Sequence, residues 1–160
     1  MNTNDQNQNQ NAPADLDSLY EQSLDDIPAL PGFKLPLPGV YKLKIVAQGL
    51  KDINESRAHE IQYEVLETLE AQEGNTIGEA CNPGDKFSQL YFMSTQKSVS
   101  FNMSRIGELL KPVSEAFGVK KFKDILEKAV GCEVIAIVKL RQNKMNKEQW
   151  FPEVEELQLQ

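Results

Sequence analysis

Lysine and arginine are missing from the first 33 residues, cysteine occurs twice in 160 residues, and histidine and tryptophan occur once each. Each scarcity excludes something. Cys81 and Cys132 are far apart and lack the short spacings of metal-ligand pairs, so neither a zinc motif nor a disulfide framework is expected. Both read as reduced thiols, Cys132 within the core. No apolar run approaches the roughly 18–20 residues that a membrane span needs. The N-terminus has neither a basic stretch nor an apolar segment of the secretory type, so a cytoplasmic location is expected, with no membrane partner. Chemistry-bearing patterns are equally sparse. No glycine-rich phosphate loop is present, the acids between Glu60 and Asp85 are spread out, and His59 alternates with Ile61 and Tyr63 as an interior residue would. The expectation is a binding protein, not an enzyme, with no catalytic residue, no metal site and no cofactor.

What is present is a segregated charge. The net −7 hides an N-terminal stretch (1–33) with six acids and no bases, a span from 51 to 85 at −7, and a span from 86 to 147 at +7. At physiological salt, charges more than about 8 Å apart are largely screened, so a molecule acidic overall can still present a basic face.

Eight of the ten residues from Asn2 to Asn11 are Asn or Gln, which offer no apolar surface to offset the entropy of ordering. Residues 1–33 are therefore expected to be a disordered acidic arm, and 34–160 the folded domain. Pro28, Pro31, Pro36 and Pro38 hold the approach to that domain extended. From Gly39, "VYKLKIVAQGL" alternates, with Tyr41, Leu43 and Ile45 on one face and Lys42 and Lys44 on the other. "AHEIQYEVLETL" repeats that period with Ile61, Tyr63 and Val65 inward, and "KFSQLYFM" reads as a third strand. The period then becomes helical in "FNMSRIGELLKPVSEAFG", divided or kinked at Pro112 and capped by Gly118, and in "KFKDILEKAVG". The β-branched "CEVIAIVKL" and then "EQWFPEVEEL" complete a mainly β order with α, β-β-β-α-β-β.

Helices placed between the third and fourth strands are the order of the five-stranded oligonucleotide-binding (OB) barrel. The stretches "LDDIPALPGFKLPLPGVYKLKI", "GDKFSQLYF" and "LEKAVGCEVIAIVKLRQNKMNKEQWFPEV" resemble the small acidic single-stranded DNA-binding proteins of bacteriophages, over roughly residues 20–157. The resemblance implies an OB-type barrel that coats single-stranded DNA in replication or recombination. Asp25, Asp26, Ile27 and Pro28 also match four of the five residues, Asp-Asp-Ile-Pro-Phe, that commonly end the acidic tail of bacterial single-stranded DNA-binding proteins. Ala29 stands in fifth place, and the match is internal. What it implies is a recruiting site for phage replication or recombination proteins. The plainer alternative is an acidic linker that packs Ile27, Leu30 and Phe33 on the barrel.

Sequence-independent binding of a single strand needs cations for phosphates and aromatic faces for bases. Lys139 and Arg141 share one face of the fourth strand, Lys144 and Lys147 lie in the turn that follows, and Trp150 opens the fifth strand. Of the adjacent Trp150 and Phe151, one is expected in the core and the other exposed or in the groove. Lys42, Lys44, Lys86 and Tyr91 are expected to continue that groove. The cluster Lys120, Lys121 and Lys123, near the second helical pattern, reads as a solvated surface or a receptor for the acidic arm. The competing readings are a protein–protein adaptor or virion component on the same β architecture, and an RNA-binding version of the domain.

Overall fold

The computed structural model describes residues 33–53 and 55–160. The Asn/Gln tract and the Asp25–Pro28 stretch lie outside the described residues. Strands β1 (Gly39–Ile53) and β2 (Ser56–Ala71) form a long antiparallel hairpin, followed by β3 (Lys86–Phe92). Helices α1 (Gln96–Leu109), α2 (Lys111–Phe117) and α3 (Phe122–Ala129) come next, and β4 (Glu133–Gln142) and β5 (Trp150–Leu159) end the chain. The alternation read from the sequence holds in the strands: Tyr41, Leu43, Ile45, Ile61, Tyr63 and Val65 are all buried, while Lys42, Lys44, Glu60, Gln62 and Glu64 face outward.

All five strands belong to one antiparallel sheet in the order β3-β2-β1-β4-β5. Because every neighbour is antiparallel, the two outermost strands, β3 and β5, run in the same direction. β1 lies at the centre and shifts register between Val40 and Tyr41, between Lys42 and Leu43, and between Ile45 and Ala47. Such bulges bend a strand and increase its twist, which curls the sheet and brings its edges towards each other. Among the described residues one hydrogen bond links them: the Val154 N–H donates to Oε1 of Gln89 at 2.8 Å, and Gln89 is only 2% exposed. No backbone ladder joins β3 to β5 among the described residues.

The core lies between the inner sheet face and the helices. Tyr63 stacks on Phe87 with ring centroids 5.2 Å apart, and Ile106, Leu109, Leu110, Val113, Leu126 and Ala129 supply the helical side. Burying a large apolar side chain stabilises by about 1.5–3 kcal/mol, so this shared core is the main force holding the helices to the sheet. The first helical pattern is divided next to Pro112, one of the two outcomes expected there, so three helices form. α1 begins at Gln96, ahead of the expected start, because Thr95 and Ser98 make a reciprocal capping box. Leu110 then interrupts the helical path, and Pro112 opens α2 at the position where its missing N–H costs nothing. Gly118 ends α2 in the left-handed conformation at φ 65°.

The segment ahead of β1 is stitched down. Lys34 N–H donates to the Lys86 carbonyl at 2.9 Å, Glu79 N–H to Leu35 at 2.8 Å, and Leu37 N–H to Glu79 at 3.0 Å. Lys34 also pairs with Asp85 at 3.0 Å. The Asn82 backbone N–H and the Lys34 ammonium hold the Asp85 carboxyl below the usual carboxylate range. Cys132 is half-buried at the edge of the core and not within it, with Sγ 3.2 Å from the Lys128 carbonyl. The thiol of Cys81 is pushed up to about 11, chiefly by burial.

Candidate nucleic-acid interface

The turn joining β4 to β5 is built by its asparagines. Asn143 Oδ1 accepts from Met145 N–H at 2.9 Å, and Asn146 Oδ1 accepts from Glu148 N–H at 3.1 Å. These are the local side-chain turns that Asn favours. Gln142 Nε2 adds a 2.7 Å bond to the Lys147 carbonyl, and Asn143 N–H bonds to Gln149 at 2.8 Å. The tip is thus held in shape with its apolar and cationic side chains outside: Met145 is 94% exposed, and Lys144 and Lys147 are exposed with no ion pair among the described residues.

Further down the hairpin the cations are not free. Lys139 pairs with Glu155 at 3.0 Å and Arg141 with Glu153 at 3.2 Å, the two carboxylates coming from β5. Trp150 and Phe151 lie opposite Gln142 and Arg141, and both are half-buried. The expectation that one of them enters the core fails: both stand at the turn end of the ladder, opposite residues that are themselves exposed. The Arg141 guanidinium lies 5.7 Å from the Phe151 ring centroid.

Lys42, Lys44 and Lys86 share the outer face of β1–β2–β3, but acids stand among them. Lys42 lies opposite Glu67 and reaches Glu133 at 3.9 Å, while Glu64 lies opposite Lys44 on one side and Lys86 on the other. Tyr91 does not join this face. It is five residues from Lys86, so strand parity turns it inward, where it is buried opposite His59. Burial raises its phenol well above the ordinary tyrosine range. His59 is also buried, its Nε2 has no hydrogen-bond partner among the described residues, and burial lowers its pKa. Lys120, Lys121 and Lys123 are exposed around the start of α3.

One constellation escaped the sequence reading. Arg105 of α1 lies over the rings of Tyr91 at 5.3 Å and Phe101 at 5.8 Å, and its guanidinium meets Glu153 at 3.3 Å. Since Glu153 also holds Arg141, a single carboxylate joins an arginine of the helix to an arginine of the hairpin. Phe101 and Arg105 are four residues apart, which places them on one helix face. That spacing was the available signal. These residues border a groove of about 900 Å³ between α1, α2 and β5, whose lining also includes Glu108, Lys111, Glu115 and Glu156.

Comparison with protein-family models, with curated proteins and with solved structures finds no match to this chain. Among the described residues no helix is long and apolar enough to cross a membrane.

Proposed function

We propose that this protein binds single-stranded DNA without sequence preference, as a coating protein of phage replication or recombination working in the host cytoplasm. In this reading the curled sheet acts as an OB-type barrel. The sheet order, the helices between β3 and β4, and the parallel outer strands bridged by Gln89 support it. The observation that carries the reading is the β4–β5 hairpin, where exposed Lys144 and Lys147 stand next to the half-buried rings of Trp150 and Phe151. Loops of this position border the binding cleft of OB barrels. Lysines there neutralise phosphates, and ring faces stack bases at about 1–3 kcal/mol each. Asp25, Asp26, Ile27 and Pro28 take the part of a recruiting site for replication proteins. The test is quenching of the single Trp150 on titration with oligo(dT), with duplex of equal length as the control. Tighter binding of oligo(dT), with log K falling by about 0.7 per phosphate neutralised as log salt rises, supports the reading; equal affinity for duplex, or no binding at low salt, overturns it.

A protein–protein adaptor is the second reading. It is favoured by the carboxylates of Glu64, Glu67 and Glu133 placed among Lys42, Lys44 and Lys86, which weaken that face as a phosphate track.

A further inference from the structure

Five side chains from three elements form a continuous array: the ring of Phe101, the guanidinium of Arg105, the carboxylate of Glu153, the guanidinium of Arg141 and the ring of Phe151. Two of its features have no structural necessity. Phe101 is 63% exposed although it sits on a helix that buries Asn102, Ile106 and Leu109 against the sheet. One carboxylate also serves two arginines, which leaves the array with an excess positive charge. The side chains of Arg105, Arg141 and Glu153 are 30%, 49% and 23% exposed, so solvent and ligand reach all three.

We propose that Phe101 and Arg105 form a second contact point for the single strand beyond the hairpin, and that Glu153 is the carboxylate a phosphate must displace to engage Arg105 and Arg141 together. This rests on the single-stranded DNA reading and adds to it a path, running from the hairpin across β5 to α1, and a built-in brake. A guanidinium presents a planar fork of donors that accepts a phosphate as readily as a carboxylate. Partly exposed ion pairs of this kind are weak, so a phosphate competes with Glu153 on near-equal terms. The exposed ring of Phe101 beside Arg105, and the half-buried ring of Phe151 beside Arg141, then offer faces to neighbouring bases. Beyond Arg105 the groove lining is acidic on balance, Glu108, Glu115 and Glu156 against Lys111, so the path is not expected to continue along it.

The experiment is fluorescence anisotropy of labelled dT15 with the full chain, its Glu153→Gln, Phe101→Ala and Lys144→Ala/Lys147→Ala variants, and melting temperatures measured alongside. The proposal expects Glu153→Gln to tighten binding at least threefold, because the amide keeps the shape but releases both arginines, and Phe101→Ala to weaken it by roughly tenfold. A strand substituted with iodouracil should photo-cross-link to Phe101. If the hairpin double variant loses affinity while Glu153→Gln and Phe101→Ala bind as wild type, the second contact is wrong and the hairpin reading stands. If Glu153→Gln weakens binding, Glu153 is a staple that positions the arginines, and the brake is wrong. If Glu153→Gln and Phe101→Ala leave dT15 binding unchanged but abolish binding of an oligolysine probe, the groove takes a basic peptide and the proposal is overturned. If no protein binds dT15, both readings fall.

Discussion

Buried opposite Tyr91, with no hydrogen-bond partner for its Nε2 among the described residues, the imidazole of His59 resists protonation, since charging it there would desolvate a cation without compensation. Its pKa is therefore lower in the folded than in the unfolded state. Below the unfolded value of about 6.5 the unfolded chain takes up a proton that the folded chain refuses, and stability falls as pH drops through that window. Urea denaturation at pH 7, 6 and 5 should show this decline in the wild type and a flatter profile in His59→Leu. Asp85, with a lowered pKa, adds a loss that sets in only at still lower pH. A second residue is constrained by space alone. A Cβ on Gly39 would stand 2.0 Å from the Glu70 carbonyl oxygen and 2.9 Å from the Ala71 Cα, both backbone atoms that cannot rotate away. Gly39→Ala should cost about 1–3 kcal/mol, the range of an overpacked site, read as a shift in the urea midpoint.

At the scale of the element, the β4–β5 hairpin divides its own cations. Lys139 and Arg141 face carboxylates across the ladder, and Lys144 and Lys147 do not. Lys144→Ala/Lys147→Ala should flatten the salt dependence of oligo(dT) binding by up to about 1.4 in slope, and Lys139→Ala should change it less. Neither should move the melting temperature much, because surface substitutions stay within about 0.5 kcal/mol. The strands were legible in the sequence because one face is buried and the period of two is strict: Tyr41, Leu43 and Ile45 announce β1. The error at Tyr91 was one of parity, since five residues from Lys86 is an odd step. The start of α1 was obscured because Ser98 and Ser100 look like turn residues, and only the Thr95–Ser98 box reveals the helix. The partners of Lys139 and Arg141 were hidden for another reason. They depend on the β4–β5 register, which slips between Ile137 and Val138. The Arg105–Glu153 contact spans 48 positions and follows from no local pattern.

For the molecule as a whole, the described contacts begin at Phe33, where a β-bridge to Lys86 and the bonds of Lys34, Leu35 and Leu37 start. A chain beginning at Phe33 keeps all of them and should melt as the full protein does. A chain beginning at Gly39 loses them, together with the Lys34–Asp85 pair, and should melt lower. The shorter truncation also removes six acids and no bases. On the DNA-binding reading it should tighten oligo(dT) binding, most at low salt where repulsion is least screened. A drop in melting temperature on removing residues 1–32, with affinity unchanged, would make that stretch a structural strap and end its role as a recruiting arm.

The bond between Gln89 and Val154 has a kinetic consequence. Within the ladders an amide is held by backbone bonds that open together, whereas the Val154 N–H is held by one buried side-chain acceptor, so parting of the two outer strands is enough to free it. Its deuterium exchange should therefore run faster than that of the amides in the centre of β1, through a local opening far smaller than global unfolding. In Gln89→Leu it should exchange faster still, which makes that one amide a gauge of how often the two outer strands part.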